Sequence, residues 1–289
     1  MRARTTTAAV LTITLLCTGM AAPAAIASVR GDVAALQVAL RRAGAYAGTV
    51  DGVLGPGTAA AIRQAQRRAG LAADGVVGPA TRRALGSLGR HPYGSRTIAA
   101  GAVGWDVAAL QFKLAAHGFP SGPVDGALGP RSVAALQRFQ AWAGLRADGV
   151  AGPSTRRALA APVPRSPVQL RRPVQAAAGD RFGPRWNVFH AGVDFPAPSG
   201  TLVTAAGFGT VVTAGYDSSG WGNMVVIGHR FGLRTLYAHL ASFAVSRGQA
   251  VGVGQRIGTV GATGRASGPH LHFELLLRGA NVDPLSALG

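Results

Sequence analysis

Apolar residues recur at helical spacing in the first half of the chain and at strand spacing in the second. Val33, Leu36 and Leu40 mark a stripe with steps of three and four residues, and Val107, Leu110 and Leu114 repeat it. A second helix is predicted over Ala59 to Ala69, with Ile62 and Gln66 inward, and again over Val133 to Ala143, with Leu136, Phe139 and Gln140 inward. A third, short helix is predicted around Thr81 to Leu85 and Thr155 to Leu159. After Gly179 the pattern changes to short valine, threonine and aromatic runs at 202–205, 209–214, 223–227, 233–239 and 270–275, with turn signals at 217–220 and 228–232. The fold class expected is multidomain: two small three-helix modules followed by an all-β, antiparallel domain with almost no room for helices.

The helical half is an internal repeat. Asp32 to Leu85 aligns with Asp106 to Leu159 without a gap, at an offset of 74 residues. Inside each copy the element Asp-Gly-x-x-Gly-Pro occurs twice, at Asp51 and Asp74 and again at Asp125 and Asp148. Its Asp and Gly residues suit tight turns, and Pro56, Pro79, Pro130 and Pro153 suit the first position of the helix that follows. These copies resemble the peptidoglycan-binding modules of exported wall hydrolases, in which this element precedes a helix ending in Phe-Gln or a similar pair. Phe139-Gln140 fits that pair, and Ala65-Gln66 replaces it in the first copy. The resemblance implies peptidoglycan as partner. Trp142 and Arg146 are candidate surface contacts, with a core position the equal alternative for Trp142. Boundaries are expected at 28–89 for the first module and 101–161 for the second. A Pro- and Arg-rich linker over 162–178 then leads to the β domain over 179–289, since Pro162, Pro164, Pro167 and Pro173 forbid a regular helix.

Residues 1–27 read as an export signal. Arg2 and Arg4 precede the apolar stretch Ala8 to Leu16, and Ala25-Ile26-Ala27 makes a small-residue cleavage site. No later segment reaches the length of a membrane span, so stable membrane insertion is not expected. Cys17, the sole cysteine, falls inside the signal, which leaves the exported chain without disulfides, thiolate ligands or a cysteine nucleophile. The formal charge is +18, or +16 once Arg2 and Arg4 are removed, and Lys113 is the one lysine. Such a surface is drawn to polyanions. Export favours an acidic cell envelope over nucleic acid.

Candidate chemistry gathers near the C-terminus: His190-Ala-Gly-Val-Asp194, then His239, then His270-Leu-His272. A catalytic zinc takes three imidazole or carboxylate ligands and keeps one position open. His270 and His272 share one face of a strand, opposite Leu271 and Phe273. Three separate segments each bring histidine, which together with Asp194 favours a metal site, while His91, His117 and His229 lack comparable partners. Glu274 is the only glutamate, which rules out a His-Glu-x-x-His zinc site. Asp194, Asp217, Asp283 and Glu274 form no motif for the opposed carboxyl pair of a glycosidase, so amide cleavage is favoured over sugar cleavage.

The runs Phe189-His190-Ala-Gly-Val-Asp194-Phe-Pro-Ala-Pro198, Tyr237-Ala-His239-Leu240 and Gly264-Arg-Ala-Ser-Gly-Pro-His270-Leu-His272-Phe-Glu274 resemble the lysostaphin-type zinc endopeptidases, peptidase family M23. The resemblance implies one catalytic zinc held by His190, Asp194 and His272. It implies His239 and His270 as catalytic residues, His270 as the favoured general base and His239 as an aid to the oxyanion or to the same proton transfer. Asn223 and Tyr237 are candidates for substrate positioning or for turn and strand packing. The function expected is a secreted, monomeric zinc metalloendopeptidase that hydrolyses peptide bonds in peptidoglycan cross-bridges or stem peptides. The alternative is a non-catalytic wall-binding regulator of another hydrolase, against which the full five-residue set argues.

Overall fold

A computed structural model describes residues 30–289. The export-signal reading of residues 1–27, Cys17 included, lies outside the described residues. Six helices come first: α1 (Gly31–Arg42), α2 (Pro56–Arg68), α3 (Pro79–Ala84), α4 (Trp105–Ala116), α5 (Pro130–Trp142) and α6 (Pro153–Ala158). Four of them open on the proline of the repeated element, preceded by a glycine in extended conformation.

A buried glutamine explains why that element recurs. The Gln37 amide donates to Asp51 Oδ1 (2.7 Å) and the Val53 carbonyl (3.0 Å), while its Oε1 accepts from the backbone N–H groups of Asp51 and Gly52. Gln66, Gln111 and Gln140 hold the turns at Asp74, Asp125 and Asp148 through equivalent bonds. All four glutamines are buried, so each turn satisfies a polar group that burial would otherwise penalise. The repeated Asp and Gly residues are thus the turn builders expected of them.

The two copies do not stand apart. Ala34, Ala35, Ala108 and Ala109 let α1 and α4 approach closely, and both helices share one core with Leu36, Leu40, Trp105 and Phe112. The Trp105 indole donates to Asp32 Oδ1 (3.2 Å) and lies under the Arg82 guanidinium. Reading only the valine and leucine stripe leaves this alanine face unassigned, which is why the sequence suggests separate modules.

The β domain begins with a hairpin, β1 (Gly183–Arg185) and β2 (Val188–His190), followed by β3 (Val193–Pro196). The main sheet adds β5 (Gly209–Asp217), β6 (Gly222–Gly228), β7 (Leu233–Ala238), β9 (Ala250–Val251), β11 (His270–Leu277) and β12 (Ala280–Val282). Its order is β12-β11-β7-β6-β5-β9, with β3 also paired to β11, and every pairing is antiparallel. A smaller sheet joins β4 (Leu202–Thr204), β10 (Arg256–Val260) and β8 (Leu240–Phe243) in the order β4-β10-β8. Between the sheets lies a core that includes Val193, Phe195, Tyr237, Leu271 and Phe273. No described helix is long and apolar enough to cross a membrane.

The stretch expected to be a linker is extended, yet its second half belongs to the β domain. Leu170 and Val174, the apolar residues between the prolines, are buried in that domain's core. The Leu170 N–H donates to the Ala287 carbonyl, and the Thr204 N–H donates to that of Pro173.

Helical and β halves touch at two hairpins. The N–H groups of Val50 and Val124, which occupy equivalent repeat positions, donate to the Trp186 and Asn187 carbonyls at the β1–β2 turn, each at 2.7 Å. The β11–β12 turn packs on the second module, where Ala280 is buried among Leu110, Leu114 and Phe119. Trp142 stacks on Phe139 and its indole donates to the Leu277 carbonyl. That contact commits Trp142 to the seam between the halves, whereas Arg146 is exposed.

Candidate metal centre

Strand register brings the sequence-predicted ligands together. β3 and β11 pair antiparallel with Asp194 directly opposite His272, so both side chains emerge on one face while Phe195, Leu271 and Phe273 enter the core. His190 ends β2, and the bend through Ala191 and Gly192 folds back so that its side chain meets the other two. Gly192 is required there: a Cβ would lie 2.4 Å from the Phe273 carbonyl oxygen and 2.9 Å from His272 Nε2.

Three ligand atoms form a small triangle. His190 Nε2 lies 3.3 Å from Asp194 Oδ1 and 3.2 Å from His272 Nδ1, and the His272–Asp194 edge is 2.7 Å. Ligands each about 2.1 Å from a tetrahedral zinc ion stand about 3.4 Å apart. Two edges match that value, and the third is closed by a hydrogen bond from His272 Nδ1–H, whose proton sits where a metal would bind. The two-imidazole, one-carboxylate donor set, and the half-buried to buried positions of its members, suit one zinc ion.

Each ring is oriented through its other nitrogen. His190 Nδ1 donates to the Arg181 carbonyl (3.0 Å), leaving Nε2 for the metal. His272 Nε2 donates to Glu274 Oε1 (3.3 Å), leaving Nδ1. A carboxylate behind a ligating histidine fixes its tautomer and raises its basicity. Burial opposes charge on His272, but Asp194 and Glu274 outweigh it and lift the imidazole to about 9. Burial likewise opposes ionisation of Asp194, yet its contacts with His190 and His272 hold its carboxyl well below the usual range.

His239 and His270 stand beside the triangle without joining it. His270 Nδ1 donates to the Gly268 carbonyl (2.8 Å), which turns Nε2 toward the cleft, 3.8 Å from Asp194 Oδ1. His239 Nδ1 donates to the Thr263 carbonyl (2.8 Å), so its Nε2 also carries the lone pair in the neutral ring. Expected as the end of a strand, His239 instead interrupts the chain between β7 and β8, with a left-handed φ of 61°. Such a conformation costs a non-glycine residue free energy and recurs at functional sites. Burial pushes the His239 pKa below its ordinary value, against the lift of its bond to Thr263.

A cleft of about 500 Å³ exposes these groups, and all its lining residues fall between Arg185 and His272. None of the described residues of the helical half is in that lining. Tyr237, a candidate for substrate positioning, does not reach the cleft. It is fully buried, and its hydroxyl accepts from the Ala206 N–H (2.8 Å) and from Thr235 Oγ1 (3.0 Å). Asn223 is likewise outside the lining: its side chain donates to the Leu240 carbonyl and its backbone N–H to Thr263 Oγ1, which secures the loop bearing His239's acceptor.

Sequence reasoning missed Arg185 as a cleft residue and assigned no individual role to Trp221, whose ring lies 5.0 Å from that of His272, or to Arg265. It also assigned no role to Glu274. Period-two alternation was the available signal, since it puts Glu274 on the same face of β11 as His270 and His272.

Comparison with known proteins agrees with this geometry. Residues 188–284 match the model of peptidase family M23, and residues 29–85 and 104–159 each match that of a peptidoglycan binding domain. The chain is 46% identical over 97 residues to the DD-carboxypeptidase/endopeptidase Mpg of Neisseria meningitidis, a match that covers 34% of this chain and 22% of that one. It is 48% identical over 99 residues to the peptidoglycan DD-endopeptidase ShyA of Vibrio cholerae, covering 34% and 23%. The chain thus spans under a quarter of the length of these curated relatives. Among solved structures, the catalytic domain of lysostaphin from Staphylococcus simulans is 34% identical, with a TM-score of 0.37 and coverage of 38% of this chain and 90% of that one. Residues 188–284, in which the β3–β11 pairing and the bend after β2 bring Asp194, His272 and His190 together, thus form an M23-family peptidase domain, and two peptidoglycan-binding-like modules precede it.

Proposed function

We propose that this chain is a secreted, wall-associated zinc endopeptidase that hydrolyses peptide bonds in bacterial peptidoglycan. The observation that carries the proposal is the convergence of five side chains: a three-ligand triangle and two further imidazoles, His239 and His270, whose free nitrogens share its cleft. Zinc, when bound, lowers the pKa of water and polarises a peptide carbonyl. His270 then accepts a proton at Nε2 and passes it to the leaving amine, while His239 stabilises the charge that develops on the carbonyl oxygen or shares in the transfer. Arg185 and Arg265 place positive charge along the cleft, suited to carboxylates of a stem peptide. The names of the two curated relatives favour a DD bond. Export rests on the composition of residues 1–27, and wall binding on the match of both helical copies.

Purified walls incubated with the zinc-loaded protein should lose turbidity and gain new amino termini, identified by mass spectrometry of the released fragments. Chelation should abolish the release, and stoichiometric zinc should restore it. Zinc-loaded protein that binds walls without generating amino termini would overturn the proposal in favour of a regulatory role.

A further inference from the structure

Behind the ligand triangle, three segments meet at one side chain. Asn281 lies on β12, opposite Leu276 of β11. Its carboxamide has two hydrogens, and the structure gives each an acceptor. One goes to Glu274 Oε2 (2.9 Å), whose other oxygen accepts from His272. The other goes to the carbonyl of Ala191 (3.2 Å), the residue directly after His190. One amide thereby joins the strand that carries His272 to the bend that links His190 and Asp194. The same residue is anchored from outside the β domain, since its backbone N–H donates to the Gly118 carbonyl of the second helical module (3.0 Å).

Position matters here because, among the described residues, the Glu274 carboxylate accepts side-chain hydrogen bonds from His272 and Asn281 alone. Glu274 is 3% exposed, and its Oε2 is held by Asn281. Without that donor the buried carboxylate can rotate, and His272 loses the fixed acceptor that presents Nδ1 to the metal. The Ala191 carbonyl would lose its tie at the same time, releasing the bend that sets the His190–Asp194 spacing.

We infer that Asn281 is a positioning residue for the metal centre, acting through Glu274 on His272 and through Ala191 on His190. This inference rests on the reading of His190, Asp194 and His272 as metal ligands and makes no use of the peptidase reaction. No cofactor contact is assigned to Asn281 itself.

The test measures Zn(II) affinity of the whole protein by competition with a chelator of known affinity. Asn281→Leu, close to isosteric but without the donor, should bind Zn(II) about 10- to 100-fold more weakly than the parent. In a Glu274→Gln background the same substitution should cost much less, because the group through which Asn281 acts has already been changed. Cobalt(II) loaded into Asn281→Leu should show a d–d absorption envelope altered from the parent's, a signature that mere loss of stability does not produce. If circular dichroism shows that Asn281→Leu does not fold, Asn281→Ala carries the same three measurements. Unchanged Zn(II) affinity, or a loss undiminished in the Glu274→Gln background, overturns the inference. A parent protein that binds no Zn(II) sinks the metal centre itself, and this inference with it.

Discussion

The rings of His239 and His270 stand 4.7 Å apart, centre to centre, beside a ligand triangle that neither completes. Each spends its Nδ1–H on a backbone carbonyl and keeps Nε2 for the cleft. Substituting either by Ala should leave one zinc per chain while lowering kcat by roughly 10²- to 10⁴-fold, the range of a lost proton-transfer or charge-stabilising group. Metal analysis and steady-state kinetics on the same samples check both parts; a variant that loses its zinc is a ligand after all.

Metal binding should release a proton from His272. In the metal-free protein its imidazole is held up at about 9, and a metal must displace the Nδ1 proton. Zinc affinity should therefore strengthen as pH rises from about 6.5 to 9. The stability of the metal-free protein moves the other way over this range. A raised folded-state pKa contributes stability in full below the ordinary histidine value of 6.5 and loses it as pH rises through about 9. The depressed Asp194 contributes above its ordinary 3.8 and loses its share as pH falls. Calorimetric titration in buffers of different ionisation enthalpy, with thermal melts of metal-free protein, measures both trends.

Tyr237→Phe should cost stability and spare catalysis. It leaves the buried Ala206 N–H without its acceptor, a penalty of about 1–3 kcal/mol, while the Thr235 hydroxyl keeps His229 Nε2 at 2.8 Å. Chemical denaturation should report the loss, and kcat for the zinc-loaded variant should stay within about threefold of the parent; a larger drop in kcat would return Tyr237 to the site.

Gln140→Leu should destabilise the second module by about 1–3 kcal/mol or more, because it strips Asp148 and the Gly149 N–H of their buried partner. The equivalent change at Gln66 should act on the first module. Denaturation followed by tryptophan fluorescence suits the Gln140 variant, since Trp142 lies two residues away.

Gly118→Ala should loosen the joint between the second module and the β domain. A Cβ there would lie 2.2 Å from the Asn281 carbonyl oxygen, and the residue sits at φ +88°. Hydrogen exchange at Asn281 and limited proteolysis near the β11–β12 turn should both accelerate in the variant; unchanged protection would show that the seam tolerates the shift.

Local features were legible wherever the physics is local. The proline of each Asp-Gly-x-x-Gly-Pro element opens a helix because its fixed φ and missing N–H suit that position in any context. Leu271 and Phe273 face inward and His270 and His272 outward because a strand alternates faces whatever its neighbours are. The separated histidine and aspartate motifs named the ligand chemistry and the family resemblance before any contact was known.

Residues whose role depends on what lies across from them were decided by the tertiary structure. Tyr237 reads equally as a substrate-positioning group or a packing residue until the buried Ala206 N–H is found to need its oxygen. Leu170 and Val174 read as linker until the β core closes over them. The opposition of Asp194 to His272, the alanine face that joins α1 to α4, and the meeting of Gly118, Asn281 and Glu274 are all pairings between distant segments. The sequence by itself determined which residue types could bind a metal and which periodicities could build helices and strands. Only folding decided which of them meet, because register and docking arise from contacts between segments that local spacing does not encode.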